Sequence, residues 1–222
     1  MPVSPSEANR LERTIEATLG ANGSLVASVQ EKSIGHAAAS ERREFHDIPR
    51  TEYEKLIEAW VNLSVSGARV SNISAIDDPA ASQFTLKADV AAPNYAQLMQ
   101  NRLLVFKPAI VSRRSSVLLT EPQRKHPIML PSRDFTETVR VKLPAGFEVD
   151  ELPDPVKLQT EFGTYSAVHS VENGNLVYTR LLSLRGAPGD TQEPRNRRAG
   201  PTGRCSGAGP RAAARPPGRG RQ

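Results

Sequence analysis

The sequence YSAVHSVENGNLVYTRLL occupies residues 165–182 and places two alternating runs on either side of one Asn-Gly pair. Alternation of period two indicates a strand with one buried face, and Asn-Gly favours a type I′ turn because both of its residues tolerate positive φ. The sequence therefore predicts a β-hairpin that turns at Asn173 and Gly174. The facing positions are Tyr165, Ala167, His169 and Val171 on one strand and Leu176, Tyr178, Arg180 and Leu182 on the other.

The first hairpin along the chain is predicted near its start, where alternating runs flank Asn22 and Gly23, so the hairpin at Asn173 and Gly174 is the second. The apolar positions of the first hairpin are Ile15, Ala17 and Leu19, followed by Leu25, Ala27 and Val29. Further strands are expected where alternation or a short apolar run recurs, at residues 70–76, 84–90, 103–106 and 135–143.

Two helices are predicted between these strands. Residues 37–45 consist mostly of good helix formers. Thr51 and Glu54 then match the pattern of a capping box, which satisfies free amide groups at a helix start. The apolar residues behind them fall at helical spacing on one face, and they are Tyr53, Leu56, Ile57, Trp60 and Val61.

These elements predict an α+β fold that is mainly antiparallel β, with sandwich-like sheets, one helical pair and a disordered C-terminal tail. We expect a frayed N-terminus at residues 1–10 and an α+β subdomain with the first hairpin, two helices and strands at residues 11–112. An antiparallel β subdomain is expected at residues 113–185, after a polar, proline-marked boundary. The tail comprises residues 186–222.

The basic character of the chain is confined to that tail. The whole chain of 222 residues has a formal net charge of +5. Residues 186–222 hold eight arginines against Asp190 and Glu193, a net charge of +6, which leaves −1 for the rest. The tail has no large apolar side chain, and a segment that cannot bury apolar surface cannot offset its ordering entropy. The charge therefore predicts a disordered basic tail on a nearly neutral folded body.

Several strand motifs of the second half resemble the C-terminal β region of bacterial transglutaminase-like proteins, in which a domain of unknown function precedes a papain-like transglutaminase core. The motifs are RKHPI at Arg124–Ile128, FTETVRVKLPAGFEV at Phe135–Val149, ELP at Glu151–Pro153, FGTY at Phe162–Tyr165 and LVYTR at Leu176–Arg180. The resemblance extends from about Arg13 to Arg185.

The resemblance implies a chain without catalytic activity. The catalytic Cys, His and Asp of the family lie in the core, which this sequence lacks, so no catalytic position is carried over. The family works in the bacterial cell envelope, although the N-terminus here shows no signal peptide. The resemblance also stops at Arg185, and the abrupt change in composition favours the hypothesis of a tail translated from a shifted reading frame.

Motifs for catalysis or for metal and cofactor binding are not evident. Cys205, the single cysteine, lies in the tail with no base positioned beside it. The four histidines form no metal-binding spacing, and they are His36, His46, His126 and His169. The acid pairs, Asp77 with Asp78 and Glu151 with Asp154, lie in turn-rich contexts. The sequence therefore predicts no catalytic, metal or cofactor residue.

The function expected from the sequence is that of a non-catalytic accessory β-rich portion of a transglutaminase-like protein, structural or substrate-orienting. Its partner would be a protein or a cell-envelope polymer. A free-standing module that binds carbohydrate or protein is the alternative, and buried aromatic side chains would disfavour it. Nucleic-acid binding through the arginine tail is a lesser alternative, because net charge alone supports only non-specific attraction.

Overall fold

A computed structural model describes residues 5–111, 130–186 and 212–215. A short 3-10 helix at Ser6–Ala8 precedes the first strand. The two α-helices are α1 (His36–Asp47) and α2 (Arg50–Asn62). The strands are β1 (Arg10–Leu19), β2 (Leu25–Ile34), β3 (Arg69–Asp78), β4 (Gln83–Ala92), β5 (Gln97–Met99), β6 (Leu103–Phe106), β7 (Arg133–Lys142), β8 (Glu148–Glu151), β9 (Val156–Thr160), β10 (Gly163–Glu172), β11 (Asn175–Leu184) and β12 (Ala212–Arg215).

The main structural unit is an eight-stranded sheet with the order β3-β4-β2-β1-β7-β11-β10-β9. Every pair in this sheet is antiparallel except β1 and β7, which run parallel at its centre. The β1–β7 pair joins the strands before residue 112 to those after it. Strands from the two predicted subdomains thus belong to one continuous sheet.

A four-stranded sheet has the order β5-β6-β12-β8. One hydrophobic cluster contains buried residues from both sheets and both helices, among them Ile15 of β1, Trp60 of α2 and Leu104 of β6. The prediction of an α+β fold, mainly antiparallel and with one helical pair, is therefore confirmed.

The apolar spacing predicts most of the buried face of helix α2, but one stripe residue and the capping box need correction. Four of the five stripe residues are buried, whereas Leu56 is 45% exposed. The predicted capping box is wrong, because α2 begins at Arg50 behind Pro49 and no side chain caps it. Glu54 instead pairs with Arg50 one turn earlier, at 2.9 Å. An i,i+4 ion pair competes here for the glutamate that a capping box requires.

Both predicted hairpins form, with different turns. At the second, Asn173 and Gly174 have φ of 51° and 75°, as a two-residue type I′ turn requires. At the first, the loop between β1 and β2 has five residues, and Gly23 has φ of 84°. The Gly23 carbonyl accepts hydrogen bonds from the amides of Tyr95 and Ala96 at 3.0 and 2.9 Å. The first turn is therefore shaped by a neighbouring loop as well as by its own sequence.

The C-terminal segment contributes one strand, β12. It pairs antiparallel with β6 on one side and β8 on the other. The prediction of a tail without ordered structure therefore does not extend to Ala212–Arg215, where two open strand edges supply backbone partners. The rest of the predicted tail, apart from Gly186, lies outside the described residues, as do His126 and Cys205.

Within the described ranges, neither helix has the length and apolarity needed to cross a bilayer.

The two Asn-Gly turns give a matched test of turn packing. We expect Gly174→Ala to lower the free energy of unfolding by about 1–2 kcal/mol, the cost of a left-handed alanine. Its new methyl group would meet nothing within 4 Å. We expect Gly23→Ala to cost at least about 1 kcal/mol more, because its Cβ would collide with the Ala96 carbonyl oxygen. Urea unfolding measures both, and equal losses would contradict the packed turn.

Candidate functional site

Four charged side chains form a row across the inner face of the large sheet. They occupy strand positions whose neighbours two residues away are buried and apolar, as with Arg13 before Ile15 and Glu31 after Val29. The registers align them directly, since Glu31 and Glu137 are both cross-strand partners of Arg13, and Arg180 is the partner of Glu137. We call Glu31, Arg13, Glu137 and Arg180, on β2, β1, β7 and β11, the ionic row.

The contacts within the ionic row are short. Arg13 Nε donates to Glu31 Oε1 at 2.6 Å, and Arg13 Nη1 donates to Glu137 Oε1 at 2.8 Å. Arg13 Nη1 also lies 3.1 Å from the carbonyl oxygen of Val111, to which it donates. Arg180 Nη2 lies 2.7 Å from Glu137 Oε2, an ion pair whose angle does not meet that of a hydrogen bond. Each charge therefore has an opposite charge beside it.

The ionic row lies deep in the protein. Arg13 and Glu31 are each 2% exposed and Glu137 is fully buried, while the Arg180 side chain is 15% exposed. The Arg13 guanidinium lies 5.1 Å from the ring centre of Trp60 and 5.2 Å from that of Phe135. Aromatic faces attract cations, and the attraction strengthens away from water. The Trp60 ring on α2 and the Phe135 ring on β7 therefore both cover the Arg13 guanidinium.

The row is neutral overall, with two cations and two anions. Its field nevertheless reaches Tyr95, whose pKa is raised mainly by burial and secondarily by the Glu137 carboxylate. The Tyr95 hydroxyl donates a hydrogen bond to the carbonyl of Lys107. A neutral tyrosine is the form that can donate this bond. The contacts of the ionic row therefore link four strands and neutralise the buried charges.

None of the candidate acids and histidines named from the sequence is a member of the ionic row. Asp77 accepts hydrogen bonds from Arg42 Nε of α1 at 2.7 Å and lies 3.2 Å from His46 Nε2. Partial burial alone would raise the pKa of Asp77, but the hydrogen bonds and charges of these two partners outweigh it and lower the pKa. This cluster fastens α1 to β3.

His169 stacks on Tyr178, with ring centres 4.9 Å apart. Both of its ring nitrogens are buried without a well-directed hydrogen bond to a described residue. Burial lowers the pKa of His169, with an opposing contribution from the Pro153 backbone. His169 is therefore a half-buried imidazole that packs on an aromatic ring.

In the part of the chain that the structure describes, no three His, Cys, Asp or Glu side chains gather as potential metal ligands. A shallow depression lies between the helices and β3 and is too narrow to enclose a water molecule. It is lined by Phe45, Arg50, Tyr53, Glu54, Ile73 and Ala75.

Sequence reasoning placed Glu137 and Arg180 on alternating strands but did not identify the ionic row. A usable signal exists, because each member has the parity of an apolar face: residue 13 with 15, 17 and 19, and residue 31 with 25, 27 and 29. A charge at such a position is buried if the strand keeps its register. Which charges meet depends on the order of the strands, which the sequence pattern does not give.

Residues 101–187 match a family described as a Domain of Unknown Function with solved-structure structure (DUF3858), which is less than half of the chain. This description assigns no activity, and the resemblance to transglutaminase-like proteins stays a prediction. No curated protein matches the chain.

Two solved structures are similar to the chain at low levels. One is a "putative protease" from Parabacteroides distasonis, with 12% identity, a TM-score of 0.29, and 96% of this chain and 41% of that chain covered. The other is an M1 zinc metallopeptidase E323A mutant from Deinococcus radiodurans, with 13% identity, a TM-score of 0.26, and 79% and 42% covered. The chain thus spans about two fifths of the length of each.

The ionic row can be tested against an exposed ion pair on the same two strands. We expect Glu137→Gln to lower the free energy of unfolding by about 3–5 kcal/mol, because it leaves Arg13 and Arg180 underneutralised in the core. Glu16 pairs with Arg140 at 3.1 Å between β1 and β7, and both are exposed. We therefore expect Glu16→Gln to cost less than about 1 kcal/mol.

Urea unfolding followed by circular dichroism and by the fluorescence of Trp60, the single tryptophan, measures both changes. Losses of similar size in the two variants would contradict the mutual neutralisation of buried charges in the row.

Asp77 provides a pH-dependent prediction. Because its pKa is lowered in the folded state, its contribution to stability is present above its ordinary value of 3.8 and is lost as the pH falls through the lower folded value. Carboxyl NMR should show Asp77 titrating below 3.8, and Arg42→Gln should move the midpoint upward. Arg43→Gln, which removes the same charge one position later on α1, is the control. A midpoint that responds equally to both variants would contradict the Arg42 contact.

Proposed function

We propose that this chain is a non-catalytic, β-rich accessory portion of a transglutaminase-like protein that supports the catalytic core or orients its substrate. The observation that carries the proposal is the ionic row. Its buried acids and bases neutralise one another across four strands, so their chemistry is used to hold the sheet. A catalytic cluster would instead direct an acid, base or nucleophile toward a substrate.

The position of the family match supports the same proposal. Residues 101–187 contain β7 to β11, the strands that carry most of the motifs by which the sequence resembles the region after a transglutaminase core. Four of these strands, β7, β11, β10 and β9, form one half of the large sheet, and the first hairpin supplies the neighbour of β7, which is β1. A sheet of this kind can present a rigid surface to an adjoining catalytic core.

The aromatic side chains weigh against the carbohydrate-binding alternative. All eleven aromatic residues (Trp, Tyr and Phe) lie within the described ranges, and Phe162 alone among them is exposed, at 50%. Stacking on sugar rings requires exposed aromatic faces. The nucleic-acid alternative concerns a tail of which only Gly186 and Ala212–Arg215 are described, and it stays a prediction.

Turnover assays on the full chain test the first half of the proposal. A glutamine-containing protein and a fluorescent primary amine report transglutaminase activity, and a labelled casein reports proteolysis. We expect the wild type and Cys205→Ser to give the same background, because Cys205 is the chain's single thiol. Turnover that disappears in Cys205→Ser, or proteolysis by the wild type, would contradict the proposal.

The second half is tested by adding the full chain to a bacterial transglutaminase-like core that lacks its own C-terminal β region. We expect amine incorporation to rise with chain concentration and to saturate. Glu137→Gln, whose sheet is destabilised, serves as the control. No change in the rate at a large excess of folded chain would contradict the accessory role.

A further inference from the structure

The four-stranded sheet contains a slot between β6 and β8 that β12 fills. Ala213 pairs with Val105 of β6 and with Glu151 of β8, so the inserted strand is bonded along both of its edges. Among the described residues, β8 has no other strand partner. Without β12, both β6 and β8 would expose unpaired amide and carbonyl groups, and such edges readily accept another strand. We call the space between them the strand slot.

The strand slot selects for a small side chain at one position. Ala214 is 1% exposed, and its cross-strand partners are Leu104 of β6 and Val149 of β8. Leu104 is itself fully buried, and both Ala214 and Leu104 belong to the main hydrophobic cluster. A close-packed core has no space for a larger side chain at this position without displacing its neighbours. The occupant therefore needs alanine or a residue of similar size there.

The charges of β8 and of the segment that fills the slot are complementary. Strand β8 has the sequence EVDE, which contains three carboxylates and no basic residue. The occupant segment RAAAR places Arg211 and Arg215 on either side of three alanines, within a C-terminal region whose net charge is +6. Opposite charges steer a segment to its site and disfavour acidic competitors.

The occupant is attached to the slot at a distance along the chain. Residues 185–211 separate the end of β11 from the start of β12, and β12 itself has four residues. So short a strand contributes few backbone hydrogen bonds, each with a modest net free energy. Its covalent attachment raises its effective concentration at the slot, so a free segment of the same sequence needs a higher concentration to occupy it.

We propose that the strand slot is a peptide-binding site, that Ala212–Arg215 is its tethered and exchangeable occupant, and that the partner taken in exchange is an extended basic segment with a small residue at the Ala214 position. This is recognition by strand addition, in which backbone bonds provide affinity and one small pocket provides selectivity. The proposal does not depend on whether the chain accompanies a catalytic core.

The test uses the full-length chain carrying Ala214→Trp, whose side chain is too large for the slot. Hydrogen exchange should become at least about tenfold faster at the amides of β6 and β8, while the amides of β1 and β7 keep their protection. Ala208→Trp adds the same side chain outside β12 and should leave β6 and β8 unchanged. Unaltered exchange in Ala214→Trp would overturn the proposal.

A synthetic peptide of residues 208–219, AGPRAAARPPGR, then supplies the missing strand in trans. We expect it to bind Ala214→Trp and to restore protection at β6 and β8. A peptide of the same charge with tryptophan at position 214 should bind at least about tenfold more weakly, which excludes simple charge attraction. Failure of the first peptide to restore protection, or equal binding of both, would overturn the proposal.

A competition measurement with the wild-type chain decides the case if Ala214→Trp does not fold. A large excess of labelled peptide should enter the wild-type slot slowly, and unlabelled peptide, but not the tryptophan peptide, should displace it. Dimers that form at high concentration and dissolve on adding the peptide would support the proposal, because one copy's segment would then occupy another's slot. A slot that never exchanges its occupant would overturn it.

Discussion

Arg13 forms ion pairs with Glu31 and Glu137, and the registers at the centre of the sheet depend on these two contacts. A buried charge without its partners costs several kcal/mol, so a strand shift that separated them would be opposed strongly. A shift by one residue would also turn Arg13 to the opposite face of the sheet and bring its apolar neighbours out of the core. One side chain thereby aligns β1 with β2 on one side and with β7 on the other.

This constraint matters most between β1 and β7. The hairpins have a short connection that sets their register, as the two-residue turn at Asn173 and Gly174 does for β10 and β11. The parallel β1–β7 pair joins residues more than a hundred positions apart and has no such turn. Buried ion pairs add little net stability compared with apolar packing, but they penalise wrong alignments. The ionic row thus lies where the fold has the greatest need for a register signal.

The sequence reveals the elements of this fold better than their arrangement. Alternation and Asn-Gly pairs predict both hairpins, and helical spacing predicts the buried face of α2 at Trp60, because these signals are local. The parallel pairing of β1 with β7 joins distant segments, and no local pattern encodes it. The strand pattern therefore indicates that charges such as Glu137 lie on the buried face, but it does not show that they contact one another. The exposure of Leu56 shows that one face of a helix can extend beyond what its neighbours cover.

Strand β12 shows where the compositional argument about the tail reaches its limit. That argument requires large apolar side chains, since a segment must bury surface to offset its ordering entropy. A segment that lies between two strand edges faces a different balance, because β6 and β8 supply backbone partners along both of its sides. Such a segment needs a side chain as small as that of Ala214 at the buried position, and only a few of its residues have to become ordered. An alanine run between two arginines can therefore fill the strand slot, although its lack of large apolar side chains predicts disorder.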